Sequence, residues 1–260
     1  MVEDTMGPVL RIASDAGRLV LKHYGSRAGC LRGSPEGSPV TAADLEADRF
    51  IRESLAGLRP GVPCVSEEGR VPGPEERRAW REFWLVDPLD GTKEFLARNG
   101  EFTVNVALIR DDEPVLGVVC APALGALYYA GKGAGAWKVP LAGGSPRRVF
   151  SREPDPARGL TVLVSRSHRS DEDAVLARLK VRERVPMGSS LKFCRLAEGA
   201  ADLYLRPGPT MEWDTAAGDC VYRNSGPRGI HPSPFRYNGA SLRQPGFMLG
   251  PGVSEVLGAA

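Results

Sequence analysis

The chain has 260 residues, enough for one large domain or two smaller ones sharing a core, and 42% of them are hydrophobic, as in ordinary soluble globular proteins. Its 34 basic and 32 acidic residues leave a formal charge of +2 and are mixed along the sequence, without the basic stripe of a nucleic-acid binder. Five scattered cysteines (Cys30, Cys64, Cys120, Cys194, Cys220), no basic-then-apolar leader and no run of about 18 apolar residues point to a reduced, cytoplasmic protein that is neither exported nor membrane-spanning.

Val9, Ile12, Ala13, Ala16, Leu19, Val20 and Tyr24 fall at helical spacing and predict an amphipathic helix over 8–24. His23 reads as a cation near its C-terminus. A loop rich in Gly, Ser and Pro covers 25–39, and a second helix follows over 42–58. On it Asp44 and Asp48 share the inward stripe of Ile51 and Leu55, an unusual place for acids. Thr41 and Asp44 also spell a capping box, so Asp44 has a local reading beside a functional one. A short strand over 63–66 then runs into Glu67-Glu68-Gly69, which by itself reads as a solvated turn.

The stretch from Trp84 to Leu96, WLVDPLDGTKEFL, carries the strongest chemical signal. An apolar run from Phe83 to Val86 ends in Asp87-Pro88-Leu89-Asp90-Gly91-Thr92, and a helix begins at Lys93. Two carboxylates at the end of a buried strand require a compensating cation. Pro88 and Gly91 allow a sharp turn on which both side chains and the Leu89 carbonyl converge, an oxygen cage suited to Mg²⁺. The competing reading is a strand-to-helix turn in which Asp90 or Thr92 caps the helix, and the stretch alone leaves both open.

Strands over 102–109 and 114–120 follow, then a hairpin over 124–129 and 136–139. The intervening Gly131-Lys132-Gly133-Ala134-Gly135 lacks both the dinucleotide fingerprint and the GK[ST] ending, and reads as a hairpin turn. Diluted hydrophobicity up to Pro146 marks a subdomain boundary, giving an N-terminal α+β part over 1–140 and a C-terminal α/β part over 141–260. The second part reads as strand 160–164, helix 171–180, strand 183–186, helix 191–198 opened by Gly188-Ser189-Ser190, and strand 202–205. A last helix is introduced by Glu212-Trp213-Asp214-Thr215-Ala216-Ala217-Gly218, with Asp214 as its N-cap and small residues permitting close backbone approach. This alternation predicts a layered α/β fold.

Four segments in this order, Thr41 to Asp44, Glu67-Glu68-Gly69, DPLDGT at Asp87 to Thr92 and WDTAAG at Trp213 to Gly218, resemble the inositol monophosphatase superfamily of metal-dependent phosphatases. Within it, DPLDGTKEF (Asp87–Phe95), VSRSH (Val164–His168), GSSLKF (Gly188–Phe193) and LYLRPGPTMEWDTAAGD (Leu203–Asp219) resemble the branch of 3'(2'),5'-bisphosphate nucleotidases, where inositol monophosphatases have DPIDGTTNF. The resemblance implies a layered αβαβα sandwich of the fructose-1,6-bisphosphatase type. It implies two or three Mg²⁺ ions held by Glu67, Asp87, the Leu89 carbonyl, Asp90 and Asp214, and a catalytic dyad of Asp44 and Thr92 that activates a water for direct attack on the 3'-phosphorus of 3'-phosphoadenosine 5'-phosphate.

Gly91 and Thr92 would hold phosphate oxygens through their N–H groups, and Ser165, His168, Ser189 and Lys192 match positions used around the nucleotide, with Arg206 a further candidate for the 5'-phosphate. Lys192 has the alternative of a solvated helix lysine, and His168 that of a capping or packing residue. After Asp219 the sequence departs from the family pattern, which opens the edge of the C-terminal sheet and the substrate to question. The expected partner is a small phosphorylated molecule, most plainly a nucleotide, with an oligomer allowed. The alternatives are another phosphatase of the superfamily acting on an inositol or sugar phosphate, and a noncatalytic nucleotide- or metal-binding protein of the same fold.

Overall fold

Alternating strands and helices bury their apolar sides in three clusters in the computed structural model, which describes residues 2–25, 32–33, 39–155, 157–167, 172–227 and 229–251. The first half contains α1 (Val2–Tyr24), β1 (Arg32–Gly33), β2 (Pro39–Val40), α2 (Ala42–Leu58), β3 (Cys64–Ser66), α3 (Pro74–Arg77), β4 (Glu82–Asp90), α4 (Thr92–Leu96), β5 (Thr103–Arg110), β6 (Glu113–Ala121), β7 (Ala126–Gly131) and β8 (Gly135–Pro140). Then come β9 (Arg147–Val149), β10 (Leu160–Ser165), α5 (Glu172–Leu176), β11 (Val181–Met187), α6 (Leu191–Ala197), β12 (Leu203–Arg206), β13 (Thr210–Met211), α7 (Glu212–Arg223), β14 (Arg243–Gln244) and β15 (Phe247–Leu249).

Strands β3 to β9 form a seven-stranded sheet in sequence order, and β11, β10, β12 and β15 form a four-stranded one. One face of the large sheet packs Trp84, Val86, Val106 and Leu108 against Val9, Ala13 and Ala16 of α1 and Ala47, Ile51 and Leu55 of α2. Its other face packs Phe83, Leu85, Ala107 and Val119 against Phe193 of α6 and Ala216, Ala217 and Val221 of α7, which also meet Leu163, Tyr204 and Leu249 of the small sheet. The far face of that sheet, Val162, Val164 and Leu203, is covered by Leu176 of α5. These are five layers, α, β, α, β, α, as the resemblance implies.

Close approach in the middle layer rests on missing side chains. A Cβ on Gly218 of α7 would stand 2.5 Å from the Phe193 ring, and one on Gly117 of β6 would stand 2.5 Å from Cys220 Cβ. The small residues after Asp214 are thus the contact surface on which α7 lies against both α6 and the large sheet.

Several elements differ from their sequence-based bounds. The helix predicted over 171–180 is described only as Glu172–Leu176, followed by hydrogen bonds from Arg178 to Val175 and from Leu179 to Leu176 that tighten the chain into β11; residue 171 lies outside the described residues. Most of the loop over 25–39, Cys30 included, also lies outside them. β9 escaped the sequence reading altogether and extends the large sheet to residue 149. Asp214 is not the N-cap of α7 but its third residue; Met211 is the cap, and its N–H donates to Asp214 Oδ2 at 2.9 Å. The unusual tail supplies two short strands: β14 pairs with β13, and β15 forms the edge of the small sheet beside β12.

Candidate metal and phosphate site

β3 and β4 are parallel, with Ser66 beside Val86, so the next residues of each strand, Glu67 and Asp87, lie side by side. The sequence suggested that β4 ends at Val86, but its pairing with β5 continues to Asp90 across a bulge: Asp87 faces Asn105 while Asp90 faces Thr103, three steps against two. In an unbroken strand two residues three apart point to opposite faces. The extra residue, at a proline with no N–H to donate, lets Asp87 and Asp90 turn to the same side. Gly91 follows at φ +90°, in the left-handed region, where a Cβ would stand 3.0 Å from the Glu101 carbonyl oxygen.

The start of α7 brings Asp214 to the same place. Carboxylate oxygens of Asp87, Asp90 and Asp214 lie within 4.8 Å of one another, and the Glu67 carboxylate is near enough for its charge to act on Asp87. Salt bridges among the described residues, such as Arg152–Asp202 and Arg223–Asp219, lie elsewhere. Burial, with the neighbouring carboxylates next, holds Asp87 and Glu67 well above the usual carboxylate range and pushes Asp214 up to about 6. Such a cluster fits a hard divalent cation: the donors are all oxygen, buried at Asp87 and half-buried at Asp90 and Asp214, and acids outnumber the cations near them. The Leu89 carbonyl, beside them in the cavity wall, lies 3.2 Å from Thr92 Oγ1 and competes with Asp44 for its one proton.

Asp44 closes the capping box and also reaches Thr92. Thr41 N–H and Oγ1 donate to its Oδ2 at 2.8 and 2.6 Å, closing the capping box, while Thr92 Oγ1 donates to its Oδ1 at 3.4 Å. Burial raises the Asp44 pKa despite these bonds. Asp48, one turn along the same stripe, is spoken for by Arg52 at 2.8 Å.

These groups open into a cavity of about 570 Å³ whose wall includes Gly91, Thr92, Ser165, Ser189, Lys192 and Arg206. His168 lies outside the described residues. Lys192 is no solvated helix lysine: it is 2% exposed, its Nζ donates to the carbonyls of Met187 and Ser189 at 2.9 and 2.8 Å, and burial brings its pKa down to about 8. Arg206 donates from Nη2 to the Pro209 carbonyl at 3.1 Å, yet its Nε is buried with no partner among the described residues. An unmet buried donor costs about 1–3 kcal/mol. Ser189 holds a left-handed φ of +49°.

Sequence reasoning missed the groups that hold the acids in place. Ser190 N–H donates to Asp90 Oδ2 at 2.6 Å, and its Oγ lies 2.8 Å from that oxygen and 2.7 Å from the Asp214 carbonyl. Asn105 Nδ2 donates to Ser190 Oγ at 2.9 Å, and the Thr210 hydroxyl donates to Asp214. A signal existed for Asn105, an amide amid the apolar strand FTVNVALI; Ser190 stood unremarked beside Ser189. Ser241 and Arg243, from the unusual tail, also line the cavity and had no sequence signal.

The chain matches the family model described as "Inositol monophosphatase family" over residues 4–244. It is 47% identical to the 3'(2'),5'-bisphosphate nucleotidase CysQ of Salmonella typhimurium over 215 residues, 82% of this chain and 85% of that one. To the CysQ of Escherichia coli K12 it is 46% identical over 220 residues, covering 84% and 87%. Among solved structures, CysQ of Bacteroides thetaiotaomicron superposes with a TM-score of 0.76 at 33% identity, covering 95% of this chain and 97% of that one. A Thermotoga maritima IMPase shares the fold, with a TM-score of 0.77 at 22% identity and coverage of 98% and 96%.

Proposed function

The chain belongs to the inositol monophosphatase family, and from that premise we propose that it is a Mg²⁺-dependent phosphatase that removes the 3'-phosphate of 3'-phosphoadenosine 5'-phosphate, giving AMP and phosphate. One observation carries the reading: a cluster of carboxylates around the buried Asp87 stands beside a hydrogen-bonded Thr92–Asp44 pair, in the wall of a cavity that also holds cationic side chains. The substrate follows from the names of the curated relatives together with those cations, since a second phosphate needs a second positive site.

Glu67, Asp87, the Leu89 carbonyl, Asp90 and Asp214 would hold the divalent ions. Bound there, such ions neutralise the phosphate, lower the pKa of water and stabilise a departing alkoxide. The chain's own part begins with Thr92. Its hydroxyl donates to Asp44 and has lone pairs left to accept from the attacking water, so a proton taken from that water passes through Thr92 to Asp44. Asp44 suits the task because burial has raised its proton affinity. It touches the cavity only through Thr92 and needs that relay.

N–H groups of Gly91 and Thr92, at the first turn of α4 where no intrahelical acceptor is available, hold oxygens of the 3'-phosphate. The 5'-phosphate falls to Arg206, whose unmet Nε gains the partner it lacks, with the Lys192 charge beside it. Ser165 and Ser189 line the space between and take the nucleoside.

Phosphate release from 3'-phosphoadenosine 5'-phosphate, compared with that from inositol 1-phosphate, tests the substrate. The expected preference for the nucleotide is tenfold or more in kcat/KM, lost in Arg206→Ala. A tenfold preference for the inositol ester would make the chain an inositol phosphatase, and no Mg²⁺-dependent turnover of either would leave a noncatalytic binding protein.

A further inference from the structure

The segment from Met187 to Lys192 serves two cavities. Gly188, Ser189 and Lys192 line the carboxylate cavity, while Met187 and Leu191 line a second one of about 430 Å³ that phosphatase chemistry leaves unused. The lining of the second cavity divides by polarity. Leu124, Ala126 and Pro140 join Met187 and Leu191 in an apolar floor, on which Leu124 is 58% exposed. Lys138, Arg147 and Arg195 form the rim.

All three rim cations lean on one carboxylate, Glu198, at 2.8, 3.4 and 2.6 Å. One anion cannot neutralise three cations, so about two positive charges remain in surplus beside an apolar floor. The Arg147 and Arg195 side chains are 63% and 45% exposed, so their guanidinium groups can turn to a ligand without unmaking the core. A concave apolar surface with a few convergent charges of one sign complements a molecule that is apolar at one end and anionic at the other.

The floor is tied to the carboxylate site by short links. The Met187 carbonyl accepts from Lys192 Nζ at 2.9 Å, Ser189 is held at a left-handed φ of +49°, and Ser190 N–H reaches Asp90 at 2.6 Å. A body seated on Met187 and Leu191 therefore presses on residues that set the position of a candidate metal ligand.

We propose that this second cavity binds an amphiphilic small anion, an aromatic or aliphatic body bearing one phosphate, sulfonate or carboxylate, and that its occupancy alters turnover at the carboxylate site through the Met187–Lys192 segment. The probe is 2-naphthalenesulfonate, titrated calorimetrically into the full chain without Mg²⁺. Saturable one-to-one binding is expected. It stays within twofold in Asp90→Asn and weakens at least tenfold in the double variant Arg147→Ala, Arg195→Ala, whose thermal melt should match the parent.

Saturating probe should change phosphate release at least twofold in the parent and leave that of the double variant unaltered. Absent binding in the parent, or undiminished binding in the double variant, overturns the site, and binding without a change in turnover overturns the coupling. A concentration-dependent dimer in sedimentation, abolished by Leu124→Glu, would give this face to a second copy of the chain and overturn the ligand reading. The binding arm does not depend on the phosphatase reading, so the two fail separately.

Discussion

Two acids of α7, Asp214 in its first turn and Asp219 in its middle, meet opposite fates. Asp219, fully buried, is surrounded by donors: Arg223 Nε at 2.8 Å, Ser233 Oγ at 2.6 Å and the Tyr237 hydroxyl at 3.0 Å. Asp214, five residues back in the chain, shares its surroundings with Asp87, Asp90 and Glu67. Burial pushes both Asp214 and Asp219 up to about 6, but the next largest influence differs in sign. For Asp219 it is the Arg223 charge, which favours the ionised form; for Asp214 it is the Asp90 charge, which opposes it. An acid ringed by donors and a cation is a structural fixture, whereas one that adds to its own donors a set of acidic neighbours could hold a metal ion.

The largest effect that sharpens this contrast is on turnover. Asp90→Asn removes one negative charge from the cluster while keeping the hydrogen bonds from Ser190 and Asn105, and kcat/KM should fall about 10³-fold with the fold intact by circular dichroism. Full activity in that variant would break the metal-ligand assignment. Next comes stability: Asp219→Ala takes the nearer carboxylate from the Arg223 guanidinium, only 10% exposed, leaving it Glu113 at 3.7 Å, and should cost about 3 kcal/mol in denaturant unfolding. An unchanged midpoint would place Asp219 outside the structural class.

A smaller effect separates holding from ligating. Ser190→Ala removes the hydroxyl that lies between Asp90 and the Asp214 carbonyl and should weaken Mg²⁺ affinity by about tenfold, measured by calorimetry. Ser190→Thr should restore most of it. Equal affinity in all three proteins would reduce Ser190 to packing.

Local signals were legible wherever the neighbours in sequence are also neighbours in space. The helix over 42–58, its capping box, the strands around 102–120 and the glycine hairpin need only periodicity and turn chemistry, and they appear within a residue or two of their expected bounds. Asp87 and Asp90 stood out because DPLDGT puts its unusual demand on the chain within six residues, whereas Glu67 and Asp214 joined them only through the family resemblance. Pairing against β5 was not legible, so the continuation of β4 through Pro88 and the bulge that aims both acids had no local signature.

The tail shows the same limit from the other side. Arg77 donates to Asn238 Oδ1 and the carbonyls of Gly239 and Ala240, while Glu212 accepts from the N–H groups of Asn238 and Gly239 at 2.7 and 2.9 Å. These contacts lead the tail back to the cavity, where Ser241 and Arg243 join its wall, across a separation in sequence that no periodicity spans.

The contrast between the two acid groups is tested most directly by thermal melts of the parent and of Asp214→Asn, with and without Mg²⁺, at pH 5.5 and 7.5. A carboxyl whose pKa is raised on folding binds protons more tightly in the folded chain, so its contribution to stability is full below the unfolded value near 4 and is lost as pH rises through about 6. The metal-free parent should therefore lose stability from this cluster between the two pH values, and Mg²⁺, which competes with protons for the same oxygens, should raise Tm more at pH 7.5 than at 5.5. Asp214→Asn should melt higher than the metal-free parent at pH 7.5 and respond little to Mg²⁺. A Mg²⁺ shift equal at both pH values, or a metal-free Asp214→Asn that melts lower than the parent at pH 7.5, would contradict the account.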